Sequence, residues 1–466
     1  MFVVYERTFT VIDNTKAPRL SRGRFLATSA LTAGAAAAAG TLLPVFDGGR
    51  AEAAAPRATT TLTVMFNSGE LLPAQVAEFE RLHPDIKVVQ LTDDNTRLSA
   101  MLAAGQPPDF VRVNGAQDFP SIVARGLATN LQPYFDKSTV IKQSDLLPVN
   151  DLYRWDGKRV GAGPRYGMVK DWSQDGTFWY NKKLFDQAKV PYPSETTPLT
   201  YDELLDLGKR LTVRQGSKIQ VYGLDTAYEF GFTYGFLQQM LAQQGSTLFN
   251  ADYTECDFTT PQARKALGWF VRWAQAHVGP SPLDVGDNAF GLFGADRLAI
   301  VTFGYWFGGA FVGTQKGDLP SHVGFAPAPQ FGSKDVSACF YGTGAWIPAG
   351  SRNKDAAWRF MEYFLGSYGP RERVSAGSGL PPFRSLLSQL PHQTAFEQEA
   401  LRVEQRELSH VSILRFTPYA SGNAVQAAIG DALTSAIQGQ TSLDAAARQL
   451  TTKVNTMLRR GKSLVG

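Results

Sequence analysis

The stretch TTTLTVMFNSGELLPAQVAEFERLHPDIKVVQL, residues 59–91, reads as a strand, a helix and a second strand. Its first residues alternate apolar with polar and break at Asn67-Ser68-Gly69, the pattern of a strand running into a turn. Leu72, Val76, Phe79 and Leu82 then recur at helical spacing, Pro84 ends the helix, and DIKVVQL (85–91) returns to strand. Outward from there, TRLSAMLAAGQPPDFVRVNGAQD (96–118) adds a helix, a stop at Gly105, a Pro-Pro turn and the strand DFVRV. FPSIVARGLATNLQPYF (119–135) continues with a helix closed by Gly126. Strands and helices that alternate through short connections imply an α/β fold with a largely parallel sheet.

Further along, residues 153–182 are rich in Trp, Tyr, Gly and Asp. Thr200 caps a helix with Glu203 three residues on, a capping box. Thr260 caps another, which stops at Gly279. In VTFGYWFGGAF (301–311) a β-favouring run ends at Gly304, and Tyr305, Trp306 and Phe307 follow among glycines. VSACFYGTGAWIPAG (336–350) is a further strand ending in glycines and a Trp. NKDAAWRFMEYFLG (353–366) is amphipathic, GSGLPPFRSLL (377–387) turns into a helix, and residues 423–461 read as two helices. Trp269, Trp273, Trp358 and Phe360 lie inside amphipathic helices and belong to the core.

The 466 residues are 44% apolar and 19% charged, enough for a large core in two domains or lobes. With 46 basic and 42 acidic residues and no basic cluster, the chain lacks the footprint of a nucleic-acid binder. Cys256 and Cys339 are too few for a disulfide scaffold or a four-cysteine zinc site, and the five histidines show no HExxH spacing. No metal or cofactor is expected. The two cysteines can pair after export or remain free.

The N-terminus reads as an export signal, not as part of the fold. A basic stretch RLSRGRFL (19–26) leads into an uncharged run (25–46), and Ala51 and Ala53 offer an A-x-A cleavage site. SRGRFL resembles the twin-arginine motif but carries Gly23 where the second arginine belongs. Residues 1–53 are either cleaved or kept as an anchor, and no cysteine near residue 54 provides a lipid attachment.

The order of these motifs across residues 60–460 resembles family 1 extracellular solute-binding proteins of ABC importers, the sugar-binding kind related to maltose-binding protein. AAGQPPDFVRV (103–113) is similar to the family's strand entry, and FWYNKKLFDQAKVPYP (178–193) with LTYDELLDLGKRLT (199–212) to its central segment. GADRLAIVTFGYW (294–306), GTGAWIPAGSRNKDAAWRFMEYF (342–364) and GLPPFRSLL (379–387) complete the order. Trp179 and Tyr201 depart from the usual residues, which bears on the ligand more than on the fold.

The resemblance implies a two-lobed α/β fold of the type II periplasmic-binding-protein kind, with a ligand cleft between lobes. Its N-terminal lobe would comprise 60–163 and 337–380, its C-terminal lobe 164–330 and 384–461. The chain would cross near 159–167, 325–337 and 379–384. It further implies a monomer, working in the periplasm or at the outer face of the membrane, that binds a mono- or oligosaccharide and delivers it to ABC transporter permease subunits.

A pyranose presents an apolar C–H face and a rim of hydroxyls, so its site calls for aromatic rings and amide or carboxylate partners. Tyr305 and Trp306 fit the aromatic role, and the family position of Trp306 favours it over a core role. Trp346 divides evenly between site and core, and Trp172 sits among polar neighbours. Asp175 is either a hydroxyl acceptor or a turn residue before Gly176. Tyr228 and Glu229 match a place where the family puts an aromatic and a carboxylate; otherwise they open a solvated helix. Asn67, Asn114, Gln117 and Asp118 follow the first and third strands, where open α/β sheets face their crevice, or else simply cap loops. Tyr419 and Asn423 open the C-terminal helices. No G-x-S-x-G, Walker A loop or glycine-rich dinucleotide fingerprint supports an enzyme, though a glycosidase's two carboxylates leave no spacing signal. No Tyr-Tyr pair suggests a ferric-ion receptor.

Overall fold

The structure, a computed structural model, describes residues 59–228, 231–284, 286, 288–310 and 318–465. The export signal read at 1–53 and the candidate Glu229 lie outside the described residues.

Strand β1 (Thr60–Met65), helix α1 (Pro73–Leu82), β2 (Ile86–Leu91), α2 (Asn95–Ala103), β3 (Phe110–Asn114) and α3 (Gly115–Ala124) alternate as the sequence predicts. Helix α1 starts at a proline, which has no N–H to leave unpaired. Helix α2 is capped by Asp94, which accepts from the Arg97 N–H, and Gly105 takes the left-handed conformation just beyond it. Helix α3 begins four residues before the predicted Phe119, with Pro120 inside it. Gln117 and Asp118 therefore stand in a helical first turn.

After α4 (Gln132–Lys137) and the hairpin β4 (Arg154–Trp155)–β5 (Val160–Arg165) comes β6 (Gly167–Val169). Then follow β7 (Phe178–Asn181), α5 (Lys182–Ala188), α6 (Tyr201–Leu211), the hairpin β8 (Val213–Gln215)–β9 (Lys218–Val221), α7 (Thr233–Gln243), α8 (Pro261–Gln275), α9 (Ala289–Gly294), β10 (Ile300–Val301) and β11 (Val323–Ala326). The last part holds β12 (Ser337–Cys339), β13 (Thr343–Trp346), α10 (Lys354–Met361), α11 (Tyr368–Ser375), α12 (Ala395–Leu408), β14 (Val411–Ile413), α13 (Gly422–Ile437) and α14 (Leu443–Lys462). The capping box at Thr200 and Glu203 and the Thr260 cap are both formed.

The first sheet has the order β2-β1-β3-β13-β6. β1 pairs in parallel with β2 and β3, and β13 runs antiparallel to both β3 and β6. A second sheet has the order β10-β7-β11. The stretch 336–350 is thus two strands, since β12 pairs instead with β14. The chain passes between the sheets at 170–177, at 327–342 and again after α11. The first passage follows Val169, beyond the boundary predicted at 163, because β6 pairs in the first sheet. The return joins that sheet at Thr343, not at 337. Trp269, Trp273, Trp358 and Phe360 are buried as predicted. Cys256 and Cys339 are separate buried thiols, not a disulfide.

Candidate functional site

Three passing segments lie side by side. Trp172 and Leu380 exchange backbone hydrogen bonds, at 3.2 and 2.7 Å, and the Trp172 indole N–H donates to Pro381 O at 2.9 Å. The Asp175 N–H donates to Ala338 O at 2.8 Å. The Asp175 carboxylate accepts from the N–H groups of Phe340 and Tyr341 at 2.9 and 3.2 Å and from Ser173 Oγ at 3.0 Å. Burial pushes this carboxyl up to about 7, against the pull of those donors. Trp172 and Asp175, read as ligand contacts, are instead buried joints between the passing segments.

Carboxyl ends of parallel strands face the crevice of an open sheet. Here those ends carry a dense charge network. Arg112, on β3, donates from Nε to Glu70 at 2.9 Å and from Nη1 to Asp93 at 3.3 Å and Asn114 Oδ1 at 3.1 Å. Lys170, just beyond β6 and with a side chain only 6% exposed, pairs with Glu70 at 3.0 Å and with Asp171. Burial works to raise the Glu70 carboxyl, but Lys170 and Arg112 outweigh it and hold it at about 2. Burial raises Asp93 against Arg112. Arg373, on α11, lies over the Phe364 ring at 5.0 Å and donates Nη2 to Phe364 O at 3.0 Å. Its Nε and Nη1 are buried without a hydrogen-bond acceptor, and burial lowers the group to about 10. Glu70, Asp93 and Asp171 thus face Arg112, Lys170 and Arg373, with Asp118 and Glu372 at the edges of the same network.

The segment 305–310 is a short 3-10 helix carrying Tyr305 and Trp306. Gly304 is needed for close approach: a β-carbon there would lie 2.1 Å from Ser173 Oγ. One at Gly309 would lie 2.0 Å from Ser378 Oγ, and one at Gly379 3.1 Å from Asp171 Cβ. The aromatic segment therefore abuts 377–379, which in turn abuts the charge network. Trp306 is half-buried, with ring centroids 5.1 Å from Phe303, 5.7 Å from Phe307 and 6.2 Å from Phe290. Phe303 continues to Phe232 at 5.9 Å and Phe232 to Tyr341 at 4.7 Å. Tyr305 is buried.

The other predicted residues divide. Asn114 joins the Arg112 network, and Asn67 stays exposed, its side chain accepting from the Gly69 N–H at 2.8 Å within its own turn. Gln117, Asp118 and Asn423 meet one another where α3 touches α13. Trp346 is 0% exposed between β3 and β6, so it is core and not a cleft wall. Tyr228 turns to α13, its hydroxyl 3.4 Å from Gly430 O, and the Tyr419 backbone packs against Gly461 of α14. Sequence reading missed Glu70, Asp93, Arg112, Lys170, Asp171 and Arg373. One signal was available: Arg112 is a lone charge within the apolar strand FVRV.

Two sheets, three tied crossings and a polar-aromatic junction define a two-lobed solute-binding protein. The profile of the bacterial extracellular solute-binding protein family matches residues 66–367, and the chain belongs to that family, whose members are transport binding proteins working outside the cytoplasm. An erythritol/L-threitol-binding protein of Mycolicibacterium smegmatis is 23% identical over 369 residues, 74% of this chain and 73% of that one. Among solved structures, an ABC substrate-binding protein from Listeria monocytogenes in complex with cycloalternan has a TM-score of 0.72 at 24% identity, covering 85% of this chain and 98% of that one. A solute-binding protein from Thermotoga lettingae bound with α-D-tagatose has a TM-score of 0.71 at 19% identity, covering 86% and 100%. The fold is that of periplasmic solute-binding proteins. Among the described residues no helix is long and apolar enough to cross a membrane.

Proposed function

We propose that this protein is the extracytoplasmic receptor of an ABC importer and takes a neutral carbohydrate, delivering it to the permease subunits. The observation that carries the reading is a network whose carboxylates and cations answer one another, Glu70, Asp93 and Asp171 with Arg112, Lys170 and Arg373, in a chain whose half-buried Trp306 lies on a segment that abuts 377–379. A charged solute would leave one of these groups unanswered in a partly buried site, at a cost of several kcal/mol. A polyhydroxylated neutral solute exchanges hydrogen bonds with carboxylates and amides without bringing a charge of its own, and lays its C–H face on an indole. The solutes named for the erythritol/L-threitol, cycloalternan and tagatose receptors have this chemistry and support the reading. A thermal-shift screen of the protein against neutral sugars, sugar alcohols, uronates and amino sugars tests it, since binding raises apparent stability by mass action. Neutral sugars or polyols are expected to shift the melting temperature. A shift with charged sugars alone would overturn the reading.

The lobes are assigned as 59–169 with 343–375, and 178–326 with α12 to the C-terminus; the molecule acts as a monomer. The leader is removed near Ala54, through the twin-arginine route if Arg22 and Arg24 suffice. N-terminal sequencing of the exported protein checks this, and finding Met1 there would show a retained anchor.

A further inference from the structure

We propose that Asp118 and the first turn of α13 form a latch that holds the two lobes closed, making Asp118 a positioning residue for solute retention. This rests on the reading of the protein as a two-lobed receptor that closes. Helix α3, which carries Asp118, packs on β3 and β13 of the first sheet, whereas α13 packs on α7, α8 and α14. Their mutual contact therefore joins the two halves. The first N–H groups of a helix have no partner within it. In α13, Ser421 caps the Ala424 N–H, and the Asn423 N–H, 305 residues from Asp118 in the chain, donates to Asp118 Oδ1 at 3.2 Å. The helix dipole there favours the ionised carboxyl, but burial outweighs it.

The approach is close because residue 422 is glycine. A β-carbon there would lie 2.1 Å from Gln117 Cγ, 2.5 Å from Gln117 O and 2.9 Å from Asp118 Oδ1. Gly422 is an ordinary helical residue whose conformation any amino acid adopts, so its need is for space between the halves and not for backbone freedom. Gln117 is buried in the same contact.

The latch also senses protons. Asp118 is 8% exposed, and burial pushes it up to about 6, against the Asn423 N–H and Arg112. Arg112 faces it from β3, Asp93 from the connection between β2 and α2, Tyr153 and Tyr341 from the segments before β4 and β13, and Tyr234 from α7. The charged residue of α13 itself, Asp431, pairs with Lys453 at 3.1 Å in the far half of that helix. When the halves part, the carboxyl regains water and its ordinary value. The contact then takes up a proton as it forms, so closure strengthens as pH falls from about 7 toward 4 and weakens as pH rises through 6. A protonated carboxyl still accepts from the Asn423 N–H through its carbonyl oxygen.

The test needs no solute. Spin labels on cysteines introduced at exposed Ser99 and Thr452 report the distance between halves, the native thiols being buried. Wild type should show a short-distance population that grows roughly tenfold relative to the open one between pH 7.5 and pH 5. Asp118→Asn keeps an acceptor without a charge and should hold the short distance at both pH values. Gly422→Ala should lose it at both, with a melting temperature within a few degrees of wild type. An unchanged short population in Gly422→Ala, an equal pH response in wild type and Asp118→Asn, or no short population in wild type each overturns the latch. Because no sugar is added, such a failure leaves the carbohydrate reading standing, and a failed sugar screen leaves the latch standing.

Discussion

At the carboxyl ends of the first sheet charges face charges, whereas around Trp306 rings face rings. In the first region Arg112 reaches Glu70, Asp93 and Asn114 at once, and each member is held in place by the others. In the second, Phe290, Phe303 and Phe307 surround an indole that keeps part of its surface open. The difference teaches a division of labour. The polar region gives direction, because hydrogen bonds between buried partners tolerate little displacement. The aromatic region gives area, because burial is roughly proportional to the apolar surface removed from water.

The contrast breaks first at Arg112. Arg112→Met strands Asp93 and leaves Glu70 to Lys170 alone, and removing one partner from a buried ion pair costs about 3–5 kcal/mol. Urea unfolding of the variant measures this, and a loss under about 1 kcal/mol would mean the network is a solvated surface pair. Trp346→Ala should lose a similar amount, about 3–5 kcal/mol, as a fully buried tryptophan in the sheet, with any loss of sugar binding following from unfolding alone.

Trp306→Ala sharpens the contrast from the other side. Half-buried, it should cost less stability than Trp346→Ala, while sugar affinity falls by about 2–3 kcal/mol, roughly 30- to 150-fold. Titration calorimetry beside an unfolding curve separates the two effects. Equal stability losses at 306 and 346 would make the aromatic region plain core.

The effect that is smallest at any one pH step is a slope with pH. Asp175 is raised by burial, so its contribution is fullest below its ordinary value and is lost as pH rises through about 7. Glu70 is lowered, so its contribution is present at neutral pH and is lost as pH falls through about 2. Unfolding free energy should therefore decline between pH 4 and 7, by at most about 1.4 kcal/mol per unit for each raised carboxyl. Asp175→Asn should flatten that decline, and an unchanged slope in the variant would show that Asp175 is not its source.

The run from β1 to β3 was legible because alternation and helical spacing are local signals, and the Thr200 and Thr260 caps were legible for the same reason. The role of Trp346 was not. Whether a tryptophan at a strand end is wall or core depends on β3 and β6 lying on either side of it, which no local pattern records. Gln117 and Asp118 were placed beyond a strand because Pro120 hid the helical turn that holds them. The network of Glu70, Arg112 and Lys170 was invisible as a set, since three elements far apart in the chain must meet before their charges mean anything.

The central place of β13 has a consequence for how the molecule is made. The strand sits between β3 and β6, yet it is synthesised more than two hundred residues after β3. At about 5–20 residues per second, the gap lasts on the order of ten to fifty seconds. Throughout that interval β3 has one unpaired edge in what will be the middle of its sheet. The earliest strands to leave the ribosome are thus kept unfinished while the middle of the chain, second sheet included, is still being written.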